Sequence, residues 1–205
     1  MIGNDLVDLL TAQEESNWQR PRFLKKIFTS TEIAFIEKSS TPTLAVWCLW
    51  SKKESVYKLI ARLEKRRFFA PKKIQCLPDN YTFISTPLQV STSVVYQNQT
   101  FQTKSFLKEH CIHTIAYQES AASSMLIQDW YLPEKDSASQ SQEVRKKLLA
   151  IYADLAQLEP QFLHIQKDAI GIPYFYYKNK KQATAISLSH HGNYVGFAMA
   201  VIHSN

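Results

Sequence analysis

The stretch from about Leu44 to Lys65 constrains the fold more than any other part of the chain. Trp47, Leu49, Trp50, Val56, Tyr57, Ile60, Ala61 and Leu63 recur there at helical spacing. Their arc is broad, so the spacing predicts a long helix that is largely buried. Glu54 projects at the edge of this arc, close to Trp47, Trp50 and Ala61. An ionised carboxylate in such surroundings is costly unless a cation satisfies it. Two cations qualify. Lys58, one turn on, would make an i,i+4 pair of the kind that stabilises helices by a few tenths of a kcal/mol; a metal ion is the other.

Around this helix the pattern alternates. Ile2 to Leu10 reads as a strand carrying Asp5 and Asp8. Thr29, Ser30 or Thr31 can cap a second helix, with Glu32 in its first turn, where negative charge is favoured. Between Lys72 and Tyr117 the runs IQCL, YTFI, QVSTSVVY, TFQTKSF and CIHTIAY predict an antiparallel sheet. Residues 133–142 are polar and free of any apolar period, which predicts a linker. A further helix is expected over roughly Glu143 to Leu158, followed by the strands FLHIQ, PYFYY, ATAISLS and YVGFAMAVIH. The fold class is therefore α+β, two pseudo-symmetric halves at 1–120 and 121–205, each a helix packed on an antiparallel sheet; one irregular α+β domain is the alternative.

The 205 residues are 45% hydrophobic and 20% charged, ordinary globular usage rather than that of a disordered chain. No apolar run approaches the roughly 20 residues of a membrane span, and the opening MIGNDLVDLL lacks the marks of a signal peptide, so a cytoplasmic protein is expected. Cys48, Cys76 and Cys111 are widely separated and read as small buried hydrophobes, not as a zinc site or a disulfide framework. A net charge of +6 favours an acidic partner without saying which.

Asp5 sharpens the meaning of Glu54. Mg²⁺ commonly takes one or two protein carboxylates and fills its remaining positions with phosphate oxygens and water, so Asp5 with Glu54 would make a minimal site. Gly3 leaves room beside it for a phosphate or an unusual backbone angle. Ser187-Leu188-Ser189-His190-His191 ends a strand with hydroxyls and imidazoles that suit a phosphate. Adjacent strand residues point to opposite faces, so His190 and His191 are poorly placed to share a metal. A polar strand cap is the plainer alternative.

In this order, Gly3-Asn4-Asp5, the run Trp50-Ser51-Lys52-Lys53-Glu54-Ser55-Val56-Tyr57-Lys58, and Ser187-Leu188-Ser189-His190 resemble the motifs of the 4'-phosphopantetheinyl transferase superfamily. The tryptophan-to-lysine run is the specific one. Arg22 to Glu32 resembles a segment of the small holo-acyl-carrier-protein synthases, and Gly171-Ile172-Pro173 resembles a G-[KR]-P element used around coenzyme A. The motif order is that of the small synthases; the length is nearer the surfactin-synthetase-activating type, a monomer of two halves. Two positions depart from the pattern: Val7 replaces a glutamate of the longer type, with Asp8 one place later, and Ile172 stands where a basic residue is usual.

The resemblance implies an enzyme that moves phosphopantetheine from coenzyme A to a serine of an acidic apo carrier protein of fatty acid, polyketide or peptide synthesis. Asp5 and Glu54 would bind Mg²⁺. Glu54, directly or through water, would accept the serine proton, and Lys58 would pair with the pyrophosphate and steady the leaving group. Lys53 would assist phosphate binding, and Ser189 and His190 would hold the 3'-phosphate. Arg20, Arg22, Lys25 and Lys26 would receive the carrier, solvated surface charge being the alternative for each. Two rivals remain: a basic nucleic-acid-binding module, from the net charge, 4 Trp, 10 Tyr and 11 Phe, and the run Tyr174 to Tyr177 near Lys178, Lys180 and Lys181; and a degenerate relative that binds coenzyme A without transfer.

Overall fold

The computed structural model describes residues 1–68, 70–77, 88–118, 125–133 and 137–201. The first sheet has the strand order β1-β5-β4-β3-β2, where β1 is Ile2–Asp8, β2 Gln75–Cys76, β3 Leu88–Tyr96, β4 Gln99–Lys108 and β5 Cys111–Tyr117. The second has the order β6-β10-β9-β8-β7, where β6 is Met125–Tyr131, β7 Leu163–Lys167, β8 Pro173–Tyr177, β9 Lys180–His191 and β10 Tyr194–Val201. Every adjacent pair is antiparallel. The two orders are one topology used twice: a first strand, a long helix, then four strands that return beside one another so that the fifth pairs with the first.

The helices of the first half are α1 (Leu9–Glu15), α2 (Phe23–Ile27), α3 (Ser30–Lys38) and α4 (Pro42–Glu64); the second has α5 (Ser137–Leu155). Proline at the start of α4 needs no amide partner there, and the helix ends where Lys65 turns left-handed at φ 50°. Thr29 caps α3 in a reciprocal capping box with Glu32. Tight turns at Gln97–Asn98 and Lys178–Asn179 have positive φ at both residues, the form whose twist suits a two-residue hairpin.

Several expectations need correction. Residues 137–142 are not linker but the beginning of α5; Ser141 and Gln142 face solvent there, and the buried face sets in only at Val144, Leu148 and Tyr152. The helix stops before Leu158 because Gln157 is left-handed at φ 50° and the Leu158 amide closes back on Ala153 O. β6, α1 and α2 carry too little periodicity to be seen in sequence. YTFI lies outside the described residues. All three cysteines are buried and free, and no described helix is long and apolar enough to cross a membrane.

β1 holds the architecture together. One neighbour is α4, whose backbone it approaches so closely that a Cβ on Gly3 would run into the carbonyl oxygen of Ser55. Ser55 Oγ lies 2.7 Å from Ser51 O and 3.0 Å from Thr114 O, so this part of α4 is small and tied to β5. Gly3 thus makes room for a helix, not for a phosphate. The other neighbours are β9 and β10 of the second sheet, where Ile2 and Ile115 pack on Ala185, Ala198 and Ala200. Polar groups cross the same seam: Ser187 Oγ accepts from the Asn4 amide at 3.0 Å, and His191 Nδ1 accepts from the Asp8 amide at 3.0 Å.

Replacing Gly3 by alanine forces backbone against backbone. G3A is expected to lower stability by about 3 kcal/mol or more, read as an earlier denaturant midpoint at unchanged slope.

Candidate active site

Along α4 the residues Trp50, Glu54, Tyr57, Lys58 and Ala61 are spaced to share one side of the helix, and on that side the close approach of β1 brings in Asp5. Lys58 Nζ donates to Asp5 Oδ1 at 3.0 Å and to Asn4 O at 2.8 Å. Lys58 therefore turns to β1, not to Glu54 one turn before it. Burial first, and the negative charge of Asp5 second, push the Glu54 carboxyl up to about 7, against the opposing pull of Lys58. Asp5, Glu54 and Lys58, three side chains from two elements 49 residues apart in sequence at their nearest, are thus one electrostatic cluster.

Two oxygen donors of this kind suit a hard cation better than a soft one. Among the described residues no group of three or more His, Cys, Asp or Glu side chains converges, so a cation at Asp5 and Glu54 would draw the rest of its shell from water or substrate. Asp8 stays out of this set. Burial would raise its pKa, but hydrogen bonds from the amides of Asn193, Thr11 and Leu10 and from the Thr11 hydroxyl hold it below the ordinary value. It caps α1 and anchors the β9–β10 turn.

Lys53 does not join the cluster. Its ammonium lies 2.8 Å from Glu32 Oε1 and donates to Pro71 O at 2.9 Å and Ile74 O at 2.5 Å, so all three of its protons are engaged. Glu32 in turn accepts from the Cys76 and Thr29 amides, each at 2.8 Å. The pair fastens residues 71–76 to α3 and α4, and the phosphate contact expected of Lys53 is replaced by a structural one. Ser189 is likewise occupied: its Oγ accepts from Asn4 Nδ2 at 2.7 Å. The other Asn4 Nδ2 proton goes to His113 Nε2 at 3.1 Å, so His113 Nδ1 carries the proton shared with Gln128 Oε1 at 2.7 Å. Burial drives His113 down to about 3 and keeps it neutral. His190 is exposed, and strand alternation turns it away from β1.

Two cavities flank the cluster. One, of about 500 Å³, is lined by Glu54 with Trp50, Tyr57, Phe68, Pro71 and Ile74. The other, of about 260 Å³, is lined by Lys58, Arg62, Arg67, the turn Gly171-Ile172-Pro173, Ser187 and Leu188. Tyr57 and Arg67 line both. Beyond Trp50 a groove of about 870 Å³ carries Arg20, Arg22, Lys25 and Lys26. Ser189 and His190 line none of the three. Tyr57, Arg62 and Arg67 were not singled out from sequence; the signal available was their position on or just past α4, on the side that carries Glu54. The aromatic run Tyr174 to Tyr177 divides, Phe175 stacking on Tyr152 in the core and Tyr174 lying under Arg62.

An antiparallel α+β fold used twice, with paired carboxylates and a lysine where strand meets helix, defines the class. The model of the 4'-phosphopantetheinyl transferase superfamily matches residues 1–115, more than half of the chain, and the chain belongs to that superfamily. Asp5, Glu54 and Lys58 all fall within the match. Among solved structures the chain is similar to the Helicobacter pylori holo-[acyl-carrier-protein] synthase in complex with coenzyme A, at 11% identity and a TM-score of 0.25, covering 99% of this chain and 100% of that one. That likeness is too loose to support an inference. No curated protein matches the chain.

Glu32→Ala strands the buried Lys53 ammonium and is expected to cost about 3–5 kcal/mol, whereas the double variant Glu32→Gln/Lys53→Met should recover most of the loss. Equilibrium unfolding of both variants measures this.

Proposed function

We propose that this chain transfers the 4'-phosphopantetheine group of coenzyme A to a serine of an apo carrier protein, releasing adenosine 3',5'-bisphosphate, with Mg²⁺ as its metal and the holo-acyl-carrier-protein synthases as its type. The observation that carries the reading is the meeting of Asp5 with Glu54 and Lys58 between two cavities. Asp5 and Glu54 would hold Mg²⁺, which when bound would neutralise charge on the pyrophosphate of coenzyme A.

The rest of the chemistry falls to the protein. Glu54, directly or through a water, would take the proton from the attacking serine hydroxyl. Serine Oγ bonds to the β-phosphorus while the bond from that phosphorus to the bridging oxygen breaks. Adenosine 3',5'-bisphosphate departs with the electron pair, and Lys58 offers its ammonium to the oxygen that gains the charge. The aromatic cavity of Trp50, Tyr57 and Phe68 suits the uncharged pantetheine arm. Because Trp50 also lines the basic groove of Arg20, Arg22, Lys25 and Lys26, an acidic carrier docked there would present its serine to Glu54. Residues 1–120 would then bear the carboxylates and 121–205 would wall the cleft, so a monomer is complete.

Incubation with apo carrier proteins, coenzyme A and Mg²⁺ should give the carrier the mass of one phosphopantetheine arm; no transfer to any carrier, together with no binding of coenzyme A, rejects the reading. Glu54→Gln should lower kcat by roughly 10²- to 10⁴-fold in a folded protein, and full activity of Asp5→Asn or Glu54→Gln would remove the metal site. A raised carboxyl pKa also means that Mg²⁺ must displace a proton from Glu54 below pH 7. Its affinity should therefore fall about tenfold for each pH unit below 7 and level off above it. Calorimetry in two buffers of different ionisation enthalpy should register proton release at pH 6, little at pH 8, and none in Glu54→Gln.

A further inference from the structure

Three cations, Lys58, Arg62 and Arg67, line the smaller cavity, and Asp168 is the acidic group close enough to act on Arg62. Lys58 is answered by Asp5, but Arg62 and Arg67 make no ion pair among the described residues. Arg62 is only 5% exposed. One of its terminal nitrogens donates to Pro173 O at 3.1 Å and to Ile186 O at 2.5 Å, and its guanidinium lies 4.8 Å over the Tyr174 ring. Its Nε is buried with no hydrogen-bond partner among the described residues. An unused donor on a buried guanidinium is a costly thing to keep unless something else completes it.

Arg67 covers the same cavity from the solvent side. Its Nε donates to Ile170 O at 2.8 Å, which leaves the terminal nitrogens for a ligand. They pack over Gly171, whose φ of +85° and missing side chain both matter: a Cβ there would collide with Nη2 of Arg67. The turn is shaped around the arginine. Its middle residue, Ile172, is apolar and 8% exposed where the resemblance calls for a basic side chain. The end of α4 thus brings to the turn the charge that the turn itself lacks.

We propose that Arg62 and Arg67 bind the phosphate monoester of the nucleotide, the 3'-phosphate of coenzyme A, and that Arg67 is the residue that selects coenzyme A over its 3'-dephospho form. This rests on the transferase reading. The pyrophosphate belongs beside Asp5 and Glu54, the uncharged arm suits the aromatic cavity and the groove of Arg20 and Arg22 faces the carrier, which leaves the dianionic monoester for the cavity where Arg62 and Arg67 meet. Lys58 lines that cavity while touching Asp5, so positive charge runs unbroken from one phosphate site to the other. A guanidinium fork matches phosphate oxygens two at a time. Ser189 and His190, the sequence candidates for this phosphate, do not line the cavity.

The test compares KM for coenzyme A and for 3'-dephospho-coenzyme A in the wild type, Arg67→Ala, Arg67→Lys and His190→Ala. Arg67→Ala should raise KM for coenzyme A roughly tenfold to a hundredfold, with kcat much less affected, and leave KM for the dephospho form in place; Arg67→Lys should recover part of the loss. Titration with adenosine 3',5'-bisphosphate against 5'-AMP should show the same loss of preference without any transfer. Equal weakening towards both cosubstrates, a wild type that does not distinguish them, or discrimination lost only in His190→Ala would overturn the assignment while transfer itself persists. A wild type that neither transfers nor binds any of these nucleotides overturns the transferase reading and this assignment together.

Discussion

A strand lies on a helix with no side chain between them at Gly3, and the chemistry of the chain depends on that contact. Side chains as short as aspartate reach a helix-borne lysine only when the two backbones are close. The Gly3–Ser55 approach supplies this closeness, and Ser51 and Ser55 keep the helix slim enough to accept it. From there Lys58 reaches both Asp5 and the carbonyl of Asn4. Glu54 is left beside a carboxylate in a partly dry cleft, which is why it holds its proton so far above the ordinary carboxylate range. An unusually basic carboxylate follows from the absence of a single methyl group.

Neighbouring charges on one helix meet opposite fates. Lys53 is saturated by Glu32 and two carbonyl oxygens where it borders the larger cavity, while Glu54, which lines the same cavity, has its carboxyl pKa pushed up and Lys58 answers a strand. The difference is angular: consecutive residues of a helix point about 100° apart, so Lys53 looks towards α3 and the chain returning at 71–76, and Glu54 towards β1. Saturating Lys53 also serves the site, since the segment it fastens provides Pro71 and Ile74 to the wall of the larger cavity.

Much of this could be read in the sequence, and what could not has identifiable causes. The long helix, the opening strand, read to Leu10 and ending at Asp8, and a helix cap among Thr29, Ser30 and Thr31, taken by Thr29, declare themselves through periodicity and local hydrogen bonding, both short-range properties. The grouping of Asp5, Glu54 and Lys58 was legible because a buried carboxylate on an apolar arc requires a cation. Lys53 could not be sorted from Lys58 in the same way, because its partner comes from α3 and its carbonyl acceptors from a loop 18 and 21 residues further on. Ser189 was misplaced for a related reason: its hydroxyl serves a seam between sheets that only tertiary packing creates. Arg67 offered only its place just past the end of α4, and gains its meaning from a turn 103 residues away.

The repeated strand order has a further consequence. The topology is used twice, but the packing is not: α4 lies against the first strand of its sheet, whereas α5 packs on β10 and β7. In the first half that contact of helix and strand holds two carboxylates and a lysine. In the second, Lys147 of α5 is spent on Asp129 of β6 at 2.6 Å and lies over Tyr131, and no second acidic side chain joins them in a metal-holding group among the described residues. The copies have divided the labour. The first half carries the clustered charges of Asp5, Glu54 and Lys58, and the second contributes the Gly171 turn and β9 as walls of the smaller cavity. Two halves of common plan thus give an intrinsic asymmetry among the described residues: one half bears the charge cluster and the other helps to enclose the cavity beside it.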